Sequence, residues 1–194
     1  FYTPNSTVYI LEVVMTAFDK AFEHTVGKEG VYSNHPSDRG GETMWGITIA
    51  VARDFGYIDN MCDMPISIAK DIYRKRYWNK ANLDEVSKMS DELAQKLFDI
   101  AVNTGVARAC IFLQTALNAF NKQETLYTDV VEDRDIGRKS IAALHSFYAK
   151  RGVTGAKVML KAINALQGAF YIEISRTRKA NEDFTFGWFS NRID

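Results

Sequence analysis

The sequence predicts a predominantly helical α+β fold with one small β-hairpin lobe. Apolar residues recur at helical spacing over most of the 194 residues, while extended, turn-rich character is confined to the stretch from Gly30 to Gly46. A composition of 46% hydrophobic and 25% charged residues, with no Pro-, Ser- or Gln-rich tract, fits an ordered globular chain. The length suits one well-buried core with an appended subdomain rather than two unrelated domains.

Leu11, Met15, Phe18, Phe22 and Val26 step by four, three, four and four, which places them on one face of a helix. Gly27 is expected to end that helix as a left-handed cap, leaving Glu29 just beyond it. The Asn34-His35-Pro36 and Arg39-Gly40-Gly41 clusters then signal turns with short extended pieces between them. Thr48 is placed to cap a short helix through Phe55, and Gly56 to terminate it. Further helices are expected over Ser67 to Trp78, Asp91 to Asn103, Ala107 to Phe120, Lys139 to Lys150 and Thr154 to Asn181. The last is marked by the stripe of Met159, Ile163, Leu166, Phe170 and Ile174. No linker separates the region from about Ala107 onward, so the chain divides into 1–106 and a helical 107–194 packed as the second lobe of one body.

Lys plus Arg equals Asp plus Glu at 24 each, which gives no electrostatic argument for nucleic acid, and no nucleic-acid partner is expected. The distribution is uneven: acids lead from Asn82 to Asp133, and bases from Arg134 to Lys179. Such a basic face suits a polyanionic partner such as a bacterial wall, and it equally suits ordinary solvated helix faces. The N-terminal apolar run is broken by Glu12, Asp19 and Lys20 well short of the about 20 residues a membrane span needs, so no stable membrane insertion is expected. Cys62 and Cys110 cannot form a disulfide framework, and Cys110, in step with Leu113, Leu117 and Phe120, reads as a buried small hydrophobe. His24, His35 and His145 lack metal-ligand spacing, so no metal site is expected. His145 shares a face with Ile141 and Tyr148 and is expected to be half-buried.

The stretch from Glu29 to Thr48 carries the chemistry. Glycosidic cleavage needs a proton for the leaving oxygen and a second group that attacks, activates water or stabilises the oxocarbenium ion, work that two carboxyl groups in unlike settings can divide. Glu29 follows a greasy helix face and precedes Gly30 and Val31, a setting that favours the protonated acid. Asp38, among Ser, Arg and Gly on a turn, should stay ionised; Glu42 is the competing base, and Thr43 or Thr48 is positioned to hold a water. Carboxylates beside glycines also commonly bond only to turn backbone, and residue types alone leave both readings open. Tyr32 and Trp45 are the rings expected to line a sugar cleft, and Asn103 and Gln114 are available to bond N-acetyl groups or, equally, to serve as caps or surface residues. Arg74, Lys75 and Arg76 are consecutive and should fan into solvent.

Glu29-Gly30-Val31-Tyr32, Asn34-His35-Pro36-Ser37-Asp38, Gly40-Gly41-Glu42-Thr43 and Trp45-Gly46-Ile47-Thr48 together resemble the signature of glycoside hydrolase family 108, bacterial and phage muramidases with a lysozyme-like fold. The likeness continues through Tyr77-Trp78, the run from Phe98 to Gly105, and Gln114-Thr115-Ala116-Leu117. Phe186-Gly187-Trp188 and Arg192 resemble the close of the peptidoglycan-binding region that usually follows. The resemblance implies hydrolysis of the β-1,4 bond between N-acetylmuramic acid and N-acetylglucosamine in bacterial peptidoglycan, with Glu29 as catalytic acid and no cofactor. Val31 stands where the family commonly has a second Gly. A looser resemblance to phage-type lysozymes, in which Asp follows Glu after eight intervening residues, favours Asp38 over Glu42 as the second carboxylate; Thr43 comes one residue early for that pattern. The alternatives are a lytic transglycosylase, which needs one acid and no water, and a non-catalytic wall-binding scaffold. A monomer acting on the wall from the periplasm is expected, made in the cytoplasm without a visible signal peptide and released by a holin or another route.

Overall fold

The computed structural model describes residues 15–27, 32–34 and 41–193. Helix α1 spans Ala17–Thr25, and its start is set by a reciprocal cap: Thr16 Oγ1 accepts from the Asp19 N–H at 3.1 Å, and the Asp19 carboxylate accepts from the Thr16 N–H at 3.3 Å. The helix therefore begins after Met15, while Leu11 lies outside the described residues. Gly27 is not left-handed, contrary to expectation. It is required by close approach instead, because a Cβ there would sit 2.8 Å from the Glu23 carbonyl oxygen. Its N–H donates back to the Phe22 and Glu23 carbonyls and closes the last turn.

Two short strands, β1 (Thr43–Met44) and β2 (Ile47–Thr48), form an antiparallel hairpin in register Met44↔Ile47. Helix α2 (Ile49–Phe55) follows, capped by Thr48 and ended by Gly56 at φ 100°, both as the sequence indicated. Helix α3 (Ile66–Tyr73) runs into a π-helical turn over Arg74–Trp78, so the single helix expected there changes pitch. Arg74, expected in solvent, pairs with Asp84 at 3.1 Å and lies over the Phe18 ring. A short helix the sequence did not announce, α4 (Leu83–Ser87), leads to α5 (Asp91–Thr104), which Ser90 caps.

Rings from α1, α3, the π-helical turn and α5 meet in the core. Phe18 packs edge-on to Trp78 and Phe98 at 5.4 and 5.8 Å between ring centres, and Phe22 to Tyr73 at 5.5 Å. Trp78 is fully buried and keeps its indole N–H satisfied by Asp84 at 2.7 Å. The C-terminal end of α1 is thereby held rigidly against the middle of the molecule.

Gly105, at φ 95°, turns α5 directly into α6 (Val106–Phe120), which packs on α5 along a face including Cys110, Leu113 and Leu117; Cys110 is fully buried, as read. Helix α7 (Arg138–Thr177) takes the place of two expected helices, with a break in helical geometry at Gly152 (φ 53°, ψ −146°) between them. His145 on α7 is exposed, not half-buried. α7 ends at Thr177, short of Asn181, and the chain folds back as α8 (Glu182–Arg192), which the sequence reading missed. α8 docks on α7 through Trp188 and Phe189 against Tyr171, 5.1 and 6.3 Å between ring centres. Its weak helical periodicity hid it, since Phe184 and Phe186 point outward at 58% and 84% exposure. One continuous set of buried side chains runs from Phe18 on α1 to Ile163 on α7.

Candidate active site

The hairpin is a pinned platform. Its two central residues, Trp45 and Gly46, both have positive φ, 54° and 72°, the condition for the tight turn that matches strand twist. Tyr73 from α3 donates its hydroxyl to the Trp45 carbonyl at 3.1 Å, and the Trp45 indole N–H donates to the Met64 carbonyl at 3.0 Å. Ile47 is buried beneath. Ser33 extends the sheet by one bridge, exchanging both backbone hydrogen bonds with Thr43 at 2.9 and 2.8 Å.

That bridge brings Tyr32 and Glu42 together: the exposed Tyr32 hydroxyl donates to Glu42 Oε2 at 3.0 Å. Partial desolvation, followed by the neighbouring Glu42 carboxylate, holds the Tyr32 phenol above its ordinary pKa, so it remains a donor at neutral pH. Among the described residues Glu42 makes no ion pair, and Oε1 accepts no hydrogen bond. Thr43 Oγ1 turns back to the Gly41 carbonyl at 3.3 Å. Glu29, Asp38 and Val31 lie outside the described residues; Gly27, where α1 closes, leads into one of the segments that carry them and Gly41 follows the other.

Two expected binding residues have other occupations. Gln114 is 1% exposed, and its amide donates to Asp133 Oδ1 and the Asp135 carbonyl, both at 2.8 Å, while its oxygen accepts from the Arg134 N–H at 3.2 Å. It fastens the 133–140 segment to α6 and has no face left for a sugar; helix periodicity put it on the buried side because Cys110 and Leu117 flank it. The Asp133 carboxylate is held below its ordinary pKa, first by this Gln114 contact. Asn103 is exposed, but its amide donates to the Asp99 carbonyl at 2.8 Å and to Asp99 Oδ1 at 3.0 Å, so it braces Asp99. Trp45, expected along the cleft, is half-buried with its N–H turned inward, so only ring surface is available to a ligand. Tyr73 was the residue missed: its hydroxyl fixes the hairpin, and no local pattern distinguishes it from the other ring residues of the core.

Comparison with known proteins bears on this arrangement. Residues 22–105 match the family model of glycosyl hydrolase 108, and residues 108–193 match that of a predicted peptidoglycan domain. The chain is similar to the solved structure of Brucella abortus SagA, at 28% sequence identity and a TM-score of 0.63, over 89% of this chain and 87% of that one. A comparison with curated proteins gives no match.

Proposed function

We propose that the chain, whose residues 22–105 match the glycosyl hydrolase 108 family and whose residues 108–193 match a predicted peptidoglycan domain, is a muramidase acting on peptidoglycan with Glu29 as its general acid. The observation that carries the proposal is that the 22–105 match begins on α1, runs through residue 29 and ends beyond the pinned hairpin. In this reading Glu29 protonates the glycosidic oxygen between N-acetylmuramic acid and N-acetylglucosamine as the bond to the anomeric carbon breaks. Asp38 activates or positions the water that attacks the resulting cation-like sugar, and takes up its proton. Glu42 is the alternate for that role. Its favour rests on one oxygen anchored by Tyr32 and the other accepting nothing among the described residues, an arrangement that orients a carboxylate without consuming it. Thr43 assists in holding water, and Tyr32 and Trp45 offer ring surface to the sugars.

The acid chemistry asks for no cofactor. Among the described residues no helix is long and apolar enough to cross a membrane. We further propose a monomer without a nucleic-acid partner that reaches the wall from the periplasm, released by a holin or another route.

The test compares wild type with Glu29→Gln on purified peptidoglycan. Loss of activity by at least about 100-fold, the scale of general-acid catalysis, is expected, with reducing ends among the wild-type products. Activity within about threefold of wild type would remove Glu29 from the role. A 1,6-anhydro product would instead make the enzyme a lytic transglycosylase and leave Asp38 and Glu42 without a water to activate. Wall binding without cleavage by wild type would favour a scaffold.

A further inference from the structure

A cavity of about 310 Å³ lies where α1, α5, α7 and α8 meet, and among the described residues none of the hairpin lines it. One face of α5 supplies Glu92, Gln95, Lys96 and Asp99, at the three- and four-residue steps that align side chains on a helix. Asn164 on α7 and Asn191 and Arg192 on α8 face them, and His24 near the end of α1 completes the wall. The cavity thus straddles the two matched regions: α1 and α5 belong to the hydrolase part, α7 and α8 to the predicted peptidoglycan domain.

Its polar groups are held in place. Asp99 is only 6% exposed, and Arg192 Nη1 donates to its Oδ1 at 2.6 Å. The Asn103 amide reaches the same oxygen, so among the described residues Oδ2 accepts no hydrogen bond. Lys96 donates to the Arg192 carbonyl, tying α8 to α5 a second time. Glu92 is exposed at the rim and makes no ion pair among the described residues.

The wall chemistry selects a ligand class. Both signs of charge stand beside three carboxamides, and among the described residues no Phe, Tyr or Trp lines the cavity, so it lacks the broad stacking face a sugar uses. A neutral sugar would also leave Glu92, which makes no ion pair among the described residues, without a charge partner. A volume near the small end of ligand pockets admits a short peptide segment and not a run of sugars. The part of peptidoglycan that is small and zwitterionic is the peptide branch, at the free amino-carboxylate centre of its diamino acid.

We propose that this cavity is a subsite for the peptide branch of peptidoglycan, taking the ammonium at Glu92 and Asp99 and the carboxylate at Lys96 and Arg192. The assignment rests on the peptidoglycan-hydrolase reading. Binding there grips both matched regions at once, so the hydrolase part engages the glycan strand while the peptide is held at the seam.

The test is calorimetric titration of the full chain with the free tetrapeptide L-Ala-γ-D-Glu-meso-diaminopimelate-D-Ala. Binding with Kd of about 1 mM or tighter is expected, with Glu92→Ala and Gln95→Ala each weakening it at least about fivefold. The corresponding lysine peptide, which lacks the second carboxylate, should bind at least about fivefold more weakly too. Lys150→Ala, exposed on α7 ahead of the break at Gly152 and not among the residues that line the cavity, is the control and should bind as wild type does. Thermal melts of each variant separate lost binding from lost folding. Absence of binding, equal binding of the lysine peptide, or undiminished affinity in folded Glu92→Ala and Gln95→Ala would each overturn the proposal. The peptide carries no glycosidic bond, so a protein that binds it yet cleaves no peptidoglycan refutes the hydrolase reading alone. One that cleaves peptidoglycan without binding the peptide refutes this subsite alone.

Discussion

Replacing Gly46 with Ala should damage the hairpin through two separable causes. Gly46 sits at φ 72°, where an L side chain costs about 1–2 kcal/mol. An added Cβ would also stand 2.7 Å from the Tyr73 hydroxyl, inside any normal contact, and would force away the group that donates to the Trp45 carbonyl at 3.1 Å. Losing that hydrogen bond adds about 1 kcal/mol, for a total of about 2–3 kcal/mol. Urea denaturation of four proteins, wild type, Gly46→Ala, Tyr73→Phe and the double variant, separates the terms. In the Tyr73→Phe background the hydroxyl is already gone, so Gly46→Ala should cost only the backbone strain, about 1–2 kcal/mol. Hydrolysis should fall in Gly46→Ala at temperatures where it remains folded, because Thr43, proposed to hold water, is on this hairpin and Glu42, the proposed alternate base, directly precedes it. A cost below about 0.5 kcal/mol would refute the positive-φ argument. An equal cost in both backgrounds would show that Tyr73 does not police the turn.

Gln114→Ala should destabilise by about 2–3 kcal/mol, since a buried amide holding the 133–140 segment is removed. In the folded protein kcat and KM on peptidoglycan should stay within about twofold of wild type; a large rise in KM would return Gln114 to the substrate. The Lys70 contact, and after it the Thr16 cap, hold the Asp19 carboxyl below its ordinary pKa, so its contribution is present above the unfolded-state value of about 4 and is lost as pH falls through the lower folded value. Asp19→Asn should therefore melt below wild type at pH 7, and the two should converge in strong acid. Curves that stay parallel down to about pH 2 would contradict the linkage.

Much of the architecture was legible because it is written in local spacing. The stripe from Phe18 to Val26, the Thr48 cap with Gly56, and the runs of α5 and α6 each follow from residues within a few turns of one another. The order of residues from Glu29 to Thr48 was enough to point to a peptidoglycan-cleaving hydrolase with a small β element. What escaped was non-local. α8 lacks a clean apolar stripe because it is held by Tyr171 and by Arg192 reaching Asp99, 93 positions away in the chain, and not by a face of its own. Gln114 looked available until the loop that uses it was in place.

The sequence by itself determined the helical fold class and the small hairpin and pointed to peptidoglycan hydrolysis, because periodicity and the order of a family motif are properties of neighbouring residues. Only the tertiary structure decided that Tyr32 donates to Glu42, that Tyr73 fixes the turn, and that α5 and α8 enclose a charged cavity. Those depend on where buried side chains from distant segments meet, and there a hydrogen bond is set by packing and not by spacing.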